Sequence, residues 1–239
     1  MILMIVRSLL TYCIVTIVFI IAFIPCFVIA CLPERWRYDN RVYYWFSNLV
    51  YSVAVYGSLV PVRVQGRENL PEQPAIIVAN HQSAFDIPLL GFLLKGAPHI
   101  WLFLVRYAKI PVFGFIARRM NVTVDHSGLR KLVGSLDKAA AIVKSHESHV
   151  IIFPEGGRFN DGVVHRFFYG FAILAHKTKR PVIPIMMRNP GKTYPPGAFL
   201  IRPYPIDILI GEPFTIQEGE TEESFLQRVH AWFDQYSGK

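Results

Sequence analysis

Two short stretches carry the side chains with which this 239-residue chain could do chemistry. The first is "NHQSAFD", residues 80–86, which follows the apolar run 75–79 and leads into another apolar run. Ser83 and Asp86 have the spacing of a helix capping box, a local device worth ~1 kcal/mol. On that reading His81 is an ordinary loop histidine. The alternative is a dyad. Residues five apart on a continuous helix lie about 140° from each other around the axis, so their side chains diverge. With His81 on the turn before a helix and Asp86 in its first turn, the chain can fold back. The carboxylate can then accept a proton from one ring nitrogen and leave the other free as a general base. The spacing alone is a frequent chance match.

The second stretch is "FPEGGRF", residues 153–159, where a buried apolar run ends in Pro154, Glu155, Gly156, Gly157 and Arg158. Two adjacent glycines permit close backbone approach, and their amides can cradle an oxyanion. Arg158 can grip a phosphate through paired hydrogen bonds. Glu155 offers an acceptor to a hydroxyl or to that arginine. A polar turn after a strand accounts for the glycines but not for the whole set.

Positioning these groups requires strands that end at them. The β-branched runs 75–79, 100–105, 122–124, 150–153, 182–186 and 206–210 read as strands. The segments 87–94, 112–120, 128–145, 167–177 and 222–236 read as helices. Short buried strands alternating with helices indicate an α/β domain with a mainly parallel central sheet covered by helices. Both stretches fall at carboxyl ends of predicted strands, where open α/β sheets bind ligands. The two sets of groups can then share one cleft. On the final helix, Phe225, Leu226, Val229, Trp232, Phe233 and Tyr236 form a stripe best explained by core packing.

Composition removes other chemistries. Cys13, Cys26 and Cys31 are the only cysteines and all lie near the N-terminus. The remainder therefore has no disulfide framework, no cysteine zinc site and no thiol nucleophile. There is no G-x-S-x-G serine elbow and no dinucleotide glycine fingerprint. The net charge is +8. Residues 1–41 hold four of 25 Lys/Arg and two of 17 Asp/Glu, so the remaining 21 against 15 leave +6. Without a nucleic-acid motif, this favours an anionic lipid surface or substrate as partner, not DNA.

From Ser8 to Leu32 there is no charged residue. The run is long enough to cross a bilayer, with Pro25 a possible kink. It is too long for a signal-peptide core of about 7–15 residues, and "VIAC" at 28–31 only loosely resembles a lipoprotein cleavage site. A second apolar stretch, 42–62, holds Tyr43, Tyr44, Trp45, Phe46 and Tyr51, residues suited to the membrane interface. Arg35, Arg37 and Arg41 lie between the two. A permanent anchor is expected over 1–61, either one span plus an interfacial segment or a hairpin in one leaflet. Residues 62–239 are the expected catalytic domain.

"NHQSAFD" followed about seventy residues later by "FPEGGRF" resembles the glycerophospholipid acyltransferases, specifically the 1-acyl-sn-glycerol-3-phosphate acyltransferases. That family carries N-H-x-x-x-x-D and F-P-E-G-T-R. The resemblance extends over most of 62–215, including Gly114, "NVTVDHS" at 121–127 and "RPVIPI" at 180–185. It implies His81 and Asp86 as the catalytic pair, with Glu155, Gly156, Gly157 and Arg158 binding substrate and Arg119 and His126 as further candidate contacts. It implies an acyl-CoA or acyl-carrier-protein donor, a lysophospholipid acceptor, no metal or cofactor, and a membrane location with the catalytic domain facing the cytoplasm. Three departures bear on the acceptor more than on acyl transfer. His126 stands where the family usually has arginine, Gly157 where it has threonine, and Phe168 where a lysine is often found. Another lysolipid or an aminolipid acceptor therefore stays open, as does a membrane-bound thioester or lysolipid hydrolase. A non-catalytic membrane-binding protein is a further alternative, against which the intact pair argues.

Overall fold

The computed structural model describes residues 1–110, 113–125 and 128–237. The chain begins with three helices, α1 (Ile2–Cys31), α2 (Glu34–Arg37) and α3 (Arg41–Gly57). Seven strands follow: β1 (Val62–Gln65), β2 (Ile76–Ala79), β3 (His99–Leu104), β4 (Val122–Val124), β5 (His149–Ile152), β6 (Val182–Arg188) and β7 (Ile206–Ile210). Between and after them lie α4 (Asp86–Leu93), α5 (Phe113–Met120), α6 (Leu129–His146), α7 (Gly170–Thr178), α8 (Pro190–Thr193) and α9 (Glu222–Tyr236).

The strands form one sheet in the order β1-β7-β6-β2-β5-β3-β4. β6, β2, β5, β3 and β4 are mutually parallel. β7 runs antiparallel to β6, and β1 is parallel to β7. The central strands β2 and β5 are buried at every position, as continuous apolar runs in a two-faced sheet must be. Alternate residues serve the two faces. Ile76, Val78, Val150 and Val182 pack with α6, α7 and α9. Ile77, Ile151, Ile183 and Ile208 pack with α4 and with Val55 of α3.

The chain leaves β2 through α4 toward β3, on one face. It leaves β5 through α7 toward β6, on the other. The two connections diverge at adjacent strands, which opens a crevice between the carboxyl ends of β2 and β5. The expected mainly parallel α/β fold is therefore present. Strand β1 was not anticipated. It is a four-residue edge strand with only half of its residues shielded, too short for alternation to register.

α1 is continuous through Pro25, is long and apolar enough to cross a membrane, and is buried over only a minor part of its apolar length. The protein holds it along its length. Arg7 and Tyr12 donate to the carbonyls of Ile201 and Phe199, and Ser8 Oγ accepts from the Ile201 amide at 2.9 Å. Thr11 Oγ1 donates to the Gly57 carbonyl at 2.7 Å. Near the far end, Phe27 packs on Phe115 of α5 at 5.3 Å between ring centroids.

Candidate active site

His81 lies on the turn after β2, and Asp86 is the first residue of α4. The fold-back that the dyad requires is present, with His81 Nδ1 2.7 Å from Asp86 Oδ2. The same oxygen accepts from the amides of Gln82 (2.6 Å) and Ser83 (2.8 Å). The capping box suggested by the spacing does not form: the N-cap of α4 is Phe85, and Ser83 Oγ accepts from the Phe85 amide at 3.1 Å, so the carboxylate oxygen instead ties the turn and holds the imidazole. Asp86 is fully buried, whereas the His81 side chain keeps 11% exposure. A buried carboxylate accepting three hydrogen bonds is fixed in place, and the ring it holds opens onto a cavity.

Three neighbours fix the histidine from other sides. Phe153 stacks beneath its ring at 3.8 Å with an interplanar angle of 10°. The His81 amide donates to Glu155 Oε1 at 2.8 Å, and the His81 carbonyl accepts from the Phe159 amide at 2.8 Å. One residue earlier, Asn80 exchanges two hydrogen bonds with the backbone of Met187 on β6, at 2.9 and 2.7 Å. The end of β2 is thus tied to both of its neighbouring strands.

The turn after β5 delivers the second set. Gly156 has φ +66°, and a Cβ there would come within 2.8 Å of the Phe168 ring, so the position favours glycine twice over. Gly156, Gly157 and Arg158 line the same cavity as His81. Arg158 Nε donates to His81 Nε2 at 3.2 Å. With Nε2 accepting, the ring proton sits on Nδ1 and points at Asp86, the tautomer a general base needs.

The Glu155 carboxylate, expected to accept from a hydroxyl or from Arg158, accepts from two backbone amides, the first being that of His81. It is 5% exposed, and its second oxygen accepts from the His165 amide at 3.0 Å. It therefore ties the His81 turn to the loop before α7. Burial pushes its carboxyl above the ordinary range, against the lowering pull of the His165 and His81 amides. Arg119 is also placed elsewhere. Its guanidinium donates to the carbonyls of Ala30 and Leu32, each at 2.8 Å, and caps the C-terminal end of α1. His126 lies outside the described residues.

The cavity measures ≈ 460 Å³ and runs from His81 and the Gly156–Arg158 turn into an apolar interior. Tyr43 and Tyr51 of α3, Trp101 of β3, Ile116 of α5 and Leu136 of α6 are among its walls. Trp101 Nε1 donates to the Tyr51 hydroxyl at 3.3 Å, which closes the α3 side. Sequence spacing did not single out these wall residues. Tyr43 and Tyr51 read as interface aromatics, and only the packing of α3 on the sheet turns them inward.

The acyltransferase family model matches residues 61–188, more than half of the chain and all of both signature turns. The chain belongs to the acyltransferase family. This acyltransferase is 29% identical to the 1-acyl-sn-glycerol-3-phosphate acyltransferase of Pseudomonas aeruginosa, over 86% of this chain and 80% of that relative. It is 33% identical to a chloroplastic enzyme of the same name from Brassica napus, over 68% of this chain and 47% of the plant protein. Its fold matches the crystal structure of the 1-acyl-sn-glycerophosphate acyltransferase of Thermotoga maritima, with a TM-score of 0.73 at 24% identity. That match covers 99% of this chain and 96% of the other.

Gly114, one of the residues that carry the sequence resemblance, lies at a close backbone approach. A Cβ at that position would lie 2.3 Å from the Ala108 carbonyl oxygen, so the start of α5 requires glycine to pass the preceding turn.

Proposed function

We propose that this acyltransferase moves a fatty acyl group from a thioester donor to the free hydroxyl of 1-acyl-glycerol-3-phosphate, giving phosphatidate. One observation carries the reading: a buried-carboxylate–histidine pair opens directly into an apolar cavity whose mouth is a Gly-Gly-Arg turn. The cavity walls suit an acyl chain, and the turn suits phosphate and carbonyl oxygens. The donor is acyl-CoA or acyl-carrier protein.

In the proposed mechanism the acceptor's oxygen attacks the thioester carbonyl while His81 Nε2 takes its proton. Asp86 holds the ring and stabilises the imidazolium, as the buried aspartate does in a serine triad, with the substrate alcohol in place of serine. The amides of Gly157 and Arg158 are not engaged by the chain's own hydrogen bonds among the described residues, and both residues line the cavity. They are the candidate donors to the tetrahedral oxyanion. The imidazolium then returns its proton to the departing thiolate. Arg158 binds the acceptor's phosphate. Transfer is direct, without an acyl-enzyme, so donor and acceptor occupy the site together.

The proposed division is a membrane-binding segment over 1–61 and a catalytic domain over 62–239. α1 is about 45 Å long at 1.5 Å per residue, and polar contacts along it bind it to the protein. Leu10, Ile17, Ile20 and Ile24 face outward, exposed. This favours a helix lying in one leaflet of the membrane over one that crosses it, with the catalytic domain on the cytoplasmic side.

The exposed Phe168 beside Gly156 keeps a second acceptor in view, since an aromatic there adds no charge for a phosphate. Purified protein supplied with each donor and a panel of lysolipids, read by mass spectrometry, tests both readings. Phosphatidate as the main product is expected. Another diacyl lipid in its place would move the assignment to that acceptor. Free fatty acid without any diacyl lipid would make the protein a hydrolase.

A further inference from the structure

The contact between Arg158 and His81 presents a difficulty for the mechanism above. The nitrogen that must take the acceptor's proton already accepts a hydrogen bond from a guanidinium. A lone pair so engaged cannot receive a proton until that bond breaks. Arg158 is exposed and makes no ion pair with a carboxylate among the described residues. The adjacent carboxylate that could have drawn it away, Glu155, is buried and directs its oxygens to the His81 and His165 amides. The imidazole is therefore the only hydrogen-bond acceptor that the described residues offer the Arg158 side chain.

We propose that Arg158 makes the enzyme selective for a phosphorylated acceptor over water, by covering the His81 lone pair until a phosphate draws the guanidinium away. The proposal rests on the reading of His81 as the base. The competition favours the phosphate. A phosphate offers a charged, two-point acceptor to a guanidinium that is always protonated, whereas a neutral imidazole offers one uncharged point. Binding of the acceptor's headgroup thus exposes the base at the moment when the acceptor's hydroxyl is at hand. A bound donor without an acceptor stays protected. Water could otherwise attack the thioester carbonyl carbon and lose its proton to Nε2. The C–S bond would break, the thiolate would take that proton, and the products would be fatty acid and thiol.

The test uses the full-length enzyme in detergent micelles with acyl-CoA and no acceptor, and measures thiol release. Wild type, Arg158→Ala and Arg158→Met are compared, each checked for folding by its thermal melt. A second arm adds an acyl ethylene-glycol phosphate, which carries the phosphate but lacks the hydroxyl and leaves room for one water. Arg158→Ala and Arg158→Met are expected to hydrolyse acyl-CoA faster than wild type, by about 10-fold to 100-fold, the worth of one hydrogen bond to a charged group. The analogue is expected to raise wild-type hydrolysis toward the same level and to leave both variants unchanged. Folded variants that hydrolyse acyl-CoA no faster than wild type would overturn the proposal, as would a wild-type enzyme indifferent to the analogue. The double variant His81→Ala/Arg158→Ala separates the two layers. Loss of the raised hydrolysis there is expected, and its persistence would remove His81 as the base, on which the proposal stands.

Discussion

At the scale of single residues, the site depends on one oxygen atom. Asp86 Oδ2 holds the imidazole and two backbone amides, while Oδ1 is buried without a hydrogen-bond partner among the described residues. In Asp86→Asn, an amide oxygen at the Oδ2 position can still accept all three bonds. What is lost is the negative charge that stabilises the imidazolium, and the new NH₂ is left buried without an acceptor. We expect turnover to fall by about 10²–10⁴-fold, with acceptor KM little changed and the fold retained. His81→Ala should lose at least as much. Steady-state kinetics on folded protein check both, and near-normal turnover in either would remove the pair from the mechanism.

Elements transmit stability to the site, and two of their contacts can be tested. β3 and β5 begin side by side with His99 opposite His149 in parallel register. Burial pushes His99 down to about 4, against the raising effect of its bond to the Ala97 carbonyl. Burial, then the neighbouring His99 and Arg180, push His149 down to about 4 as well. The folded protein holds both rings neutral, while the unfolded chain takes up protons near pH 6.5. Protons therefore bind the unfolded state preferentially between the two values. Stability from these groups is full above about pH 6.5 and declines as pH falls toward 4. Urea melts across that range should show the decline, and His99→Gln/His149→Gln should flatten it. The second test concerns α1 and α5, which Arg119 joins. Arg119→Ala takes that donor from the Ala30 carbonyl, while the Leu32 carbonyl keeps Arg37 Nη1 at 3.1 Å, and should cost about 1–3 kcal/mol. Limited proteolysis should show α1 released at lower temperature than in wild type. An unchanged cleavage profile would mean that the aromatic contact of Phe27 suffices.

For the whole molecule, the N-terminal helices have unequal parts. α1 lies outermost with an exposed apolar face, whereas α3 contributes Val55 to the core and Tyr43 and Tyr51 to the cavity. A Cβ on Gly91 of α4 would meet the Tyr51 ring at 2.2 Å, so α3 and α4 are in close packing. Deleting residues 1–31 should abolish flotation with phospholipid vesicles and preserve turnover on detergent-dispersed substrate. Deleting residues 1–60 should destroy the cavity wall and yield unfolded protein by circular dichroism. A folded, active 61–239 fragment would show that the cavity does not need α3.

The amino-acid sequence already contains the alternating α/β order, the two signature turns and their residues, because these are local. Strand periods, glycine pairs and a histidine at a strand end are legible within a few residues of chain. It also placed α9 at Glu222–Tyr236, where Thr221 caps the helix through the Ser224 amide at 3.2 Å. Tertiary structure decided which groups meet. Only the adjacency of β2 and β5 brings Arg158 to His81 across 77 residues of sequence. Only the folded loops show Glu155 bonded to amides on both sides, and Arg119 serving a helix 87 residues away. Composition alone reads Tyr43 and Tyr51 as membrane-interface residues. Their position on the cavity wall depends on how α3 docks on the sheet, a long-range packing outcome that local sequence does not encode.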